Sequence, residues 1–511
     1  MSTIAPSPTA PAADLAENEN RDTSATEAPV ITPPPTIVTV DTLSLQAALA
    51  KYTKLVTNKN GRLIVQGIRI SAAEHHLDLL GTDLEIALYV TIPANALTTP
   101  SNAIVADYRA LLNAVKAVRD RQTQLALYGD YLIVSDSASS THISSFGEVG
   151  DFPQPPRRVT LQECLATREA NAPAYQKQNT AEFEKMKHSW RETLPLEFQE
   201  FAVSAASLSP ALIYVLPGMA DGDTRYALNG VFMAGNGRGG AEFVTSNTHV
   251  LYKHDATLTG GTLPDNAGFT MLPKAAEWLA KNACGTITVK TDPNTVFFEG
   301  DGFTLTGRRI EGMFPRYRDV IPAQSSMPGR LTVSRKEFLA ALKAARPNIH
   351  SDTRRIDLVP HAEGHGLIIR AMCGNTTTFT AEIPAASRKW LTASFNVDFL
   401  IDFLAVHLGD AVTICRDGAA EEGSGPSAVY DGERLFLAMP LNNARETTPE
   451  EREAYRAYLA EPDQEFPVAS ILAAKTAKKV PAFKAVVKRA LADVEYKRTL
   501  LEALGMLHTV A

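Results

Sequence analysis

Apolar and polar residues follow two different periods along the chain, and the period changes at defined points. A short apolar run at 37–40 predicts a strand, and the apolar residues after it recur at helical spacing. Alternation then predicts further strands, until a second helical pattern begins at Tyr108. The first unit is therefore a strand, a helix, strands, a helix and strands, over residues 37–40, 42–52, 62–70, 76–90, 108–121, 124–135 and 141–146.

The same order of elements recurs twice further along the chain. The helical patterns of the later units lie at 207–219, 273–282, 334–346 and 397–408. This recurrence predicts an α+β protein made of three copies of one domain, each with two helices and antiparallel sheets. We divide the chain into a first unit at 37–156, a second at 201–322 and a third at 323–443.

Three segments fall outside the repeat. Residues 1–36 are rich in Ala, Pro, Ser and Thr and lack apolar periodicity, which predicts a disordered tail. Residues 157–200 carry mixed charge and predict a helical insertion. Residues 444–511 begin with an acidic run and end with basic and apolar residues at helical spacing, which predicts a helical extension.

Composition limits the class of protein. The chain of 511 residues has a net charge of −7, which argues against a uniformly basic nucleic-acid binder but leaves room for a local basic surface. Its cysteines stand singly, at Cys164, Cys284, Cys373 and Cys415, and predict free thiols in a reducing cytoplasm. No apolar run is long enough for a membrane span, and no secretion signal is recognisable.

Candidate catalytic and cofactor chemistry is weak. Residues 235–240 have the spacing of a dinucleotide-binding glycine run, but an apolar strand pattern follows them instead of a helix, so we predict a hairpin turn. The histidines lack partners at metal-ligand spacing. No nucleophile elbow or recurring carboxylate pair is present in the sequence. We expect no enzyme activity, no cofactor and no metal.

The run RRIEGMFPRYRDVIP at 308–322 is the least generic in the chain. It reads as a strand end, a turn at Gly312 and an aromatic, proline-stiffened link between two units. Together with local matches in the same order, it resembles the bacterial DNA polymerase III beta subunit, the replication sliding clamp. The matching motifs are LGTDLE at 80–85, DFP at 151–153, RYALNG at 225–230, FNVDFL at 395–400 and MPL at 439–441.

The resemblance implies a ring of two chains joined head to tail. Such a ring encloses duplex DNA without reading its sequence and tethers the replicative polymerase and other partners. The resemblance also implies that helices line the pore and that their basic residues meet phosphates. Arg62 matches a DNA-contacting arginine of the family. The candidates are Lys51, Lys54, Arg62, Arg119, Lys274, Lys281, Lys343 and Arg346, each of which has a solvated helix face as the alternative reading.

Ring closure and partner capture are further implications of the resemblance. Ile143 and Ile349 match apolar positions of the dimer interface, with an internal core role as the alternative. The polymerase and the clamp loader would each insert a short peptide into an apolar pocket between units two and three. Its predicted walls are Leu228, Ser246, Thr248, His249, Val250, Leu251, Pro315, Val320, Asn396, Phe399, Leu437, Met439, Pro440 and Leu441.

Several positions depart from the family pattern. Thr141 replaces an interface aromatic, Val250 replaces an arginine, Asp319 replaces a basic residue, and Asn442 with Asn443 replace the terminal pair. These changes leave a second hypothesis open, in which a clamp-fold binding module or inhibitor no longer encircles DNA. The extension at 444–511 could cover the pocket, add DNA contacts or pack on the outside.

Overall fold

The protein is described here by a computed structural model. Outside its described residues lie 1–33 of the predicted tail, the predicted DNA contact Arg62, Asn442 and Asn443, and the whole predicted extension at 444–511. The described residues are 34–56, 63–173, 177, 179–222, 225–265, 267–349, 351–361, 365–373, 376–390, 392–416 and 425–441.

The first unit alternates strands with two helices. Each helix begins directly where a strand ends, at a capping aspartate: Asp41 accepts from the Ser44 amide at 2.9 Å and Asp107 from the Ala110 amide at 2.6 Å. The elements are β1 (Thr36–Asp41), α1 (Thr42–Ala50), β2 (Gly67–Ala72), β3 (His76–Thr82), β4 (Ile86–Ala96), β5 (Ala103–Asp107), α2 (Tyr108–Ala117), β6 (Gln122–Leu127), β7 (Tyr131–Ser135) and β8 (Ser140–Ser144).

The inserted segment contains two helices, α3 (Leu161–Asn171) and α4 (Thr180–Thr193), that contact each other. Neither helix has a fully buried residue in the described part. Polar contacts fix the ends of the insertion to unit two, because Arg158 pairs with Glu200 at 2.9 Å and the Val159 amide donates to Asp292 at 3.2 Å. The hairpin is therefore anchored at its base and exposed along its length.

Unit two repeats the plan of unit one. It comprises β9 (Glu200–Ser204), α5 (Ala205–Val215), β10 (Val231–Gly235), β11 (Ala241–Ser246), β12 (Val250–Ala256), β13 (Leu258–Gly261), β14 (Gly268–Met271), α6 (Pro273–Asn282), β15 (Thr286–Thr291), β16 (Thr295–Gly300) and β17 (Phe303–Ile310). The glycine run joins β10 to β11 as a hairpin, with Gly235 opposite Ala241, so the predicted turn is confirmed.

Unit three follows the same order after the connector at 308–322. It comprises β18 (Gly329–Ser334), α7 (Arg335–Ala345), β19 (Arg355–Pro360), β20 (Gly366–Cys373), β21 (Thr376–Arg388), β22 (Ala393–Asn396), α8 (Val397–Val406), β23 (Ala411–Arg416), β24 (Ser427–Asp431) and β25 (Arg434–Ala438). The described residues thus contain three structurally matching units, each with a pair of helices in contact, α1 with α2, α5 with α6 and α7 with α8.

The sheet pairing is the same in all three units. One sheet runs through the first strand and the last three, as β1–β6–β7–β8, β9–β15–β16–β17 and β18–β23–β24–β25. The other holds the middle strands, as β5–β2–β3–β4, β14–β10–β11–β12 and β22–β19–β20–β21. The apolar faces of these sheets and the helix pairs form a core that extends through all three units.

Strands also pair across both boundaries between units. β17 of unit two pairs with β4 of unit one, with Leu305 opposite Leu88. β25 of unit three pairs with β12 of unit two, with Leu437 opposite Leu251. Each join therefore pairs the last strand of one unit with a middle strand of the unit before it. That partner, β4 or β12, is the third middle strand when the strands are counted along the chain.

Some predicted boundaries were wrong. The helix predicted at 207–219 begins at Ala205, where Ser204 caps it, and ends at Val215. It does not continue because Pro217 has no backbone N–H to donate to the helix. The short strands before each second helix, β5, β14 and β22, were not predicted, since four or five residues show too little alternation. All four cysteines are free, as predicted. Among the described helices, none is long and apolar enough to cross a membrane.

Candidate functional site

A cluster of three lysines lies where the helices of units one and two meet. The indole of Trp278 on α6 donates to the Lys51 carbonyl at the end of α1, at 2.9 Å, and fixes this meeting point. Lys54 lies 3.6 Å from Glu277, and its side-chain contact with Lys281 lowers the pKa of Lys281. The ammonium of Lys51 lies over the Phe303 ring, 5.8 Å from its centroid. Like charges held as close as those of Lys54 and Lys281 favour an anion between them, so the lysine cluster, defined as this pair with the neighbouring Lys51, suits a phosphate.

The other predicted DNA contacts differ in whether a carboxylate of the protein already forms an ion pair with them. Lys274 pairs with Asp83 and Glu85 of unit one, at 2.5 and 2.9 Å, and Arg346 pairs with Asp398 at 2.6 Å. A phosphate would compete with these carboxylates for the same cations. Lys343 on α7 and Arg119 after α2 are exposed. The sequence could not separate the two groups, because the carboxylates that pair with Lys274 lie in another unit.

The helices do not form a uniformly basic surface. α8 carries Asp398 and Asp402 and no basic residue. Burial, with Asp398 nearby, raises the pKa of Asp402. Sequence reasoning considered only cations here and missed this local acidity, although both aspartates are visible at helical spacing. Among the described helices, α8 therefore offers no basic residue to DNA, unlike α2, α6 and α7.

The pairing of β12 with β25 assembles most of the predicted partner pocket. Val250 lies opposite Ala438 and Leu251 opposite Leu437, so the ends of the two strands are side by side. The Met439 amide donates to the His249 carbonyl at 2.8 Å. Residues more than 180 positions apart in the sequence thus form one surface, as the family resemblance implies.

An aromatic pair, made of the exposed His249 and the partly buried Phe399, lies beside these strand ends. The rings of His249 and Phe399 stack with centroids 6.0 Å apart, joining the turn before β12 to α8. Asn396 caps α8 by accepting from the Asp398 amide at 2.9 Å, and its side chain thereby fixes the start of the helix that carries Phe399. Thr248 has a positive φ of 74°, a strained conformation for a residue other than glycine, in the turn that presents His249.

The connector supplies the remaining wall. Its Phe314 and Tyr317 are buried in a small cluster with three predicted pocket residues, Leu228, Leu251 and Leu437. Between and beyond these anchors, Pro315 is exposed and the side chain of Val320 is 56% exposed. Leu228, Val250, Leu251 and Leu437 are buried, whereas Ser246, Thr248, Met439, Pro440 and Leu441 remain at least partly accessible. The buried members support the pocket from beneath, and the accessible ones form its surface.

A cavity of about 1350 Å³ lies elsewhere, at the boundary of units one and two. Leu84, Glu197, Arg309 and Phe314 are among the residues that line it, and none of the predicted pocket residues does. The predicted partner surface is therefore distinct from this cavity.

The comparisons with known proteins agree with this geometry. The family model described as the N-terminal domain of the DNA polymerase III beta subunit matches residues 36–156, which is unit one with its exit segment. This part of the chain thus matches the bacterial sliding-clamp family. The beta sliding clamp of Treponema pallidum is 19% identical over 309 residues, which cover 59% of this chain and 71% of the relative.

Solved sliding-clamp structures share the fold of most of this chain. The clamp of Pseudomonas aeruginosa bound to griselimycin has a TM-score of 0.65 at 18% identity, over 80% of this chain and 100% of the other. The beta subunit of Thermotoga maritima has a TM-score of 0.64 at 19% identity, with the same two coverages. The remaining fifth of this chain has no counterpart in these sliding clamps.

The two predicted clamp-interface residues lie in different environments. Ile143 on β8 is 4% exposed and packs in the core of unit one, the environment that the internal alternative describes. Ile349 is partly buried and packs against the core of unit three. Neither side chain forms an exposed apolar anchor, because each is needed to complete its own unit.

Two buried histidines lie at the seam where β25 of unit three pairs with β12 of unit two. His254 on β12 and His407 after α8 are 5% and 3% exposed, and burial lowers the pKa of both, with Arg434 adding to the shift. Arg434 Nε lies 3.3 Å from His254 Nε2. Protonating either imidazole would place a buried positive charge near this arginine.

Stability should therefore fall as the pH drops below the ordinary histidine pKa of 6.5. The unfolded chain takes up protons near that pH while the folded chain does not, so acidification favours unfolding. Urea unfolding between about pH 7.5 and about pH 5.5 measures this dependence. In a variant with His254→Gln and His407→Gln, the free energy of unfolding should decrease less over this pH range. A decrease as large as that of the wild type would show that these histidines do not cause the pH dependence.

Proposed function

We propose that this chain is a DNA sliding clamp, a processivity factor that closes into a ring of two chains around duplex DNA. The observation that carries the proposal is the repeated rule of strand pairing across unit boundaries. β17 adds to β4 and β25 adds to β12, in each case the last strand of one unit to the third middle strand of the previous one.

The same rule defines the closing contact. In unit one the last strand is β8, which pairs only with β7 among the named strands of the described chain. In unit three the third middle strand is β21, whose residues 376–384 pair with β20 along one side. Pairing β8 with β21 of a second chain would repeat the join twice and close a ring of six units. Exposed strand edges favour such an addition, because their backbone groups lack partners.

Within such a ring the helix pairs would face the DNA. Sequence-independent contacts to phosphates would come from the lysine cluster, Lys343 and Arg119, with Lys274 and Arg346 contributing by exchanging carboxylates for phosphate. Arg62 stays a candidate on the family resemblance alone. Weak contacts of this kind would allow sliding, since enclosure supplies the tether. The polymerase, the clamp loader and other partners would bind by short peptides at the surface around His249 and Phe399.

The proposed role is non-catalytic, as in the family. A tether acts by raising the local concentration of its partner at the DNA, and no bond needs to be made or broken by the clamp itself. The role also requires the compartment that holds the DNA, which is the cytoplasm predicted from the cysteine pattern.

The decisive test is retention on closed circular DNA compared with the same DNA after linearisation. The clamp would be loaded on a nicked circle and challenged with about 0.5 M salt, where the Debye length is only a few ångströms and phosphate contacts are screened. We expect retention on the circle and loss from the linear form, because enclosure does not depend on charge. Cutting an already loaded circle should release the clamp.

Equal loss from both forms, with a monomer at micromolar concentration, would contradict the ring. That result would favour a clamp-fold binding module that acts only through its partner surface.

A further inference from the structure

A buried carboxylate ties the connector to unit two. Glu242 on β11 is 2% exposed, although its neighbours on that strand, Ala241 and Phe243, are apolar core residues. Removing a carboxylate from water is costly unless charged and hydrogen-bonding partners replace the water. Its retention at this position therefore indicates a geometric role.

Most of the partners of Glu242 belong to the connector. The hydroxyl of Tyr317 and both Nε and Nη2 of Arg318 donate to the same carboxylate oxygen, Nε at 2.9 Å. Its other oxygen lies 3.3 Å from the ammonium of Lys253 on β12. Arg318 Nη2 also donates to the carbonyl of Gly235 at 2.6 Å. The carboxylate thus fixes two consecutive connector residues against the sheet of unit two.

These two residues stand between two exposed connector positions that are predicted to line the partner pocket. Pro315 precedes them and the half-exposed Val320 follows them, and the Tyr317 amide donates to the Pro315 carbonyl at 2.7 Å. The rings of Phe314 and Phe232 stack with their centroids 4.7 Å apart, which fixes the start of this segment. The far end is attached to unit three, where the Tyr430 hydroxyl donates to the Pro322 carbonyl at 2.5 Å.

The connector is a segment with little regular structure that must present an apolar wall at a defined place. After β17 ends at Ile310, and apart from the short turn Tyr317–Val320, it lacks the backbone ladder that positions β12 and β25. Apolar packing alone is non-directional, whereas a carboxylate with a forked guanidinium partner fixes both distance and orientation. Glu242 and Arg318 together supply this directional restraint.

We propose that Glu242, acting through Arg318 and Tyr317, is a positioning residue of the partner-peptide pocket. The carboxylate holds the connector so that Pro315 and Val320 complete the wall opposite His249 and Phe399. This inference rests on the proposed function, because it takes that surface as the place where partners bind. Glu242 itself does not touch the bound peptide.

The test measures the affinity of griselimycin, the ligand named with the Pseudomonas aeruginosa and Bartonella birtlesii clamps, for the full chain and its variants. Glu242→Gln keeps the shape of the side chain and removes its charge. It should weaken binding about tenfold, the size of one charge-assisted hydrogen bond. Arg318→Gln should weaken binding similarly, and the double variant should be no weaker than either single variant. Arg318→Lys should restore part of the affinity, since it keeps the charge but loses the fork.

A matched control separates positioning from general loss of stability. Glu299 on β16 pairs with Lys290 on β15 at 2.7 Å, and neither side chain contacts Tyr317 or Arg318. Glu299→Gln should leave the affinity for griselimycin unchanged. All variants should keep the retention of the wild type on circular DNA, because the restraint lies away from β8 and β21.

Three results would count against the proposals in different ways. Unchanged affinity of Glu242→Gln, or additive losses in the double variant, would overturn the positioning role while leaving the clamp function intact. If griselimycin binds the Phe399→Ala variant as tightly as the wild type, or does not bind the wild type, the assigned partner pocket would instead be refuted. Failure of the wild type to remain on circular DNA would refute the ring.

Discussion

Replacing Lys51, Lys54 and Lys281 together by alanine should remove much of the attraction of this protein for duplex DNA. Each phosphate contact contributes about 0.9 to the slope of log affinity against log salt, so loss of three contacts should reduce the slope by about 2.7. The cluster is the place where charges of units one and two are held together, since Lys281 contacts Lys54 and the Trp278 indole binds the Lys51 carbonyl. Fluorescence anisotropy with a random-sequence duplex at several salt concentrations measures the slope.

The matched control removes three cations from the exposed inserted hairpin, with Arg168, Lys185 and Arg191 changed to alanine. The net charge changes by the same amount, but these residues do not lie on the helix pairs of the three units. We expect the control to keep the wild-type slope. If both triple variants reduce the salt slope by the same amount, attraction depends on overall charge, and the lysine cluster is not a DNA contact.

Replacing Phe403 by alanine should destabilise the fold by about 4 kcal/mol, the usual cost of removing a fully buried aromatic ring. Phe403 on α8 is 1% exposed, and its ring stacks on Phe436 of β25 with centroids 4.1 Å apart. Tyr252 of unit two lies against the same pair, 6.5 Å from Phe403. The resulting cavity would open at the seam that joins units two and three.

Urea unfolding, followed by circular dichroism and by tryptophan fluorescence, measures this loss. Tyr226→Ala is the control, because that aromatic side chain is 74% exposed and its removal creates no cavity. We expect the control to change the free energy of unfolding by less than about 0.5 kcal/mol. A loss below about 1 kcal/mol for Phe403→Ala would mean that the seam repacks around the missing ring.

The seam has a functional consequence beyond stability. It joins the strands that place Val250, Leu251 and Leu437 at the partner surface, and α8 carries both Phe403 on its buried side and Phe399 towards His249. Loss of the buried ring should therefore disturb the partner surface as well. The lysine cluster lies at the other boundary, between units one and two, and should be unaffected.

The sequence by itself determined the repeat and its family. Apolar periodicity is a local property, so helices at Thr42–Ala50, Tyr108–Ala117, Pro273–Asn282 and Val397–Val406 and most long strands could be predicted from neighbouring residues alone. The glycine run at 235–240 could be assigned to a hairpin for the same reason. Short motifs such as LGTDLE carried the resemblance because they recur in order.

Only the tertiary structure decided how these pieces act on one another. Whether a lysine is available depends on carboxylates that may be distant in sequence, as for Lys274 and Asp83, which lie 191 positions apart. The burial of Ile143, the carboxylate of Glu242 beneath the connector and the pairing of β12 with β25 are all contacts of this kind. Periodicity shows which face of an element is apolar but does not show what packs against it. That packing decides which charges are paired and which strands join the units of this protein.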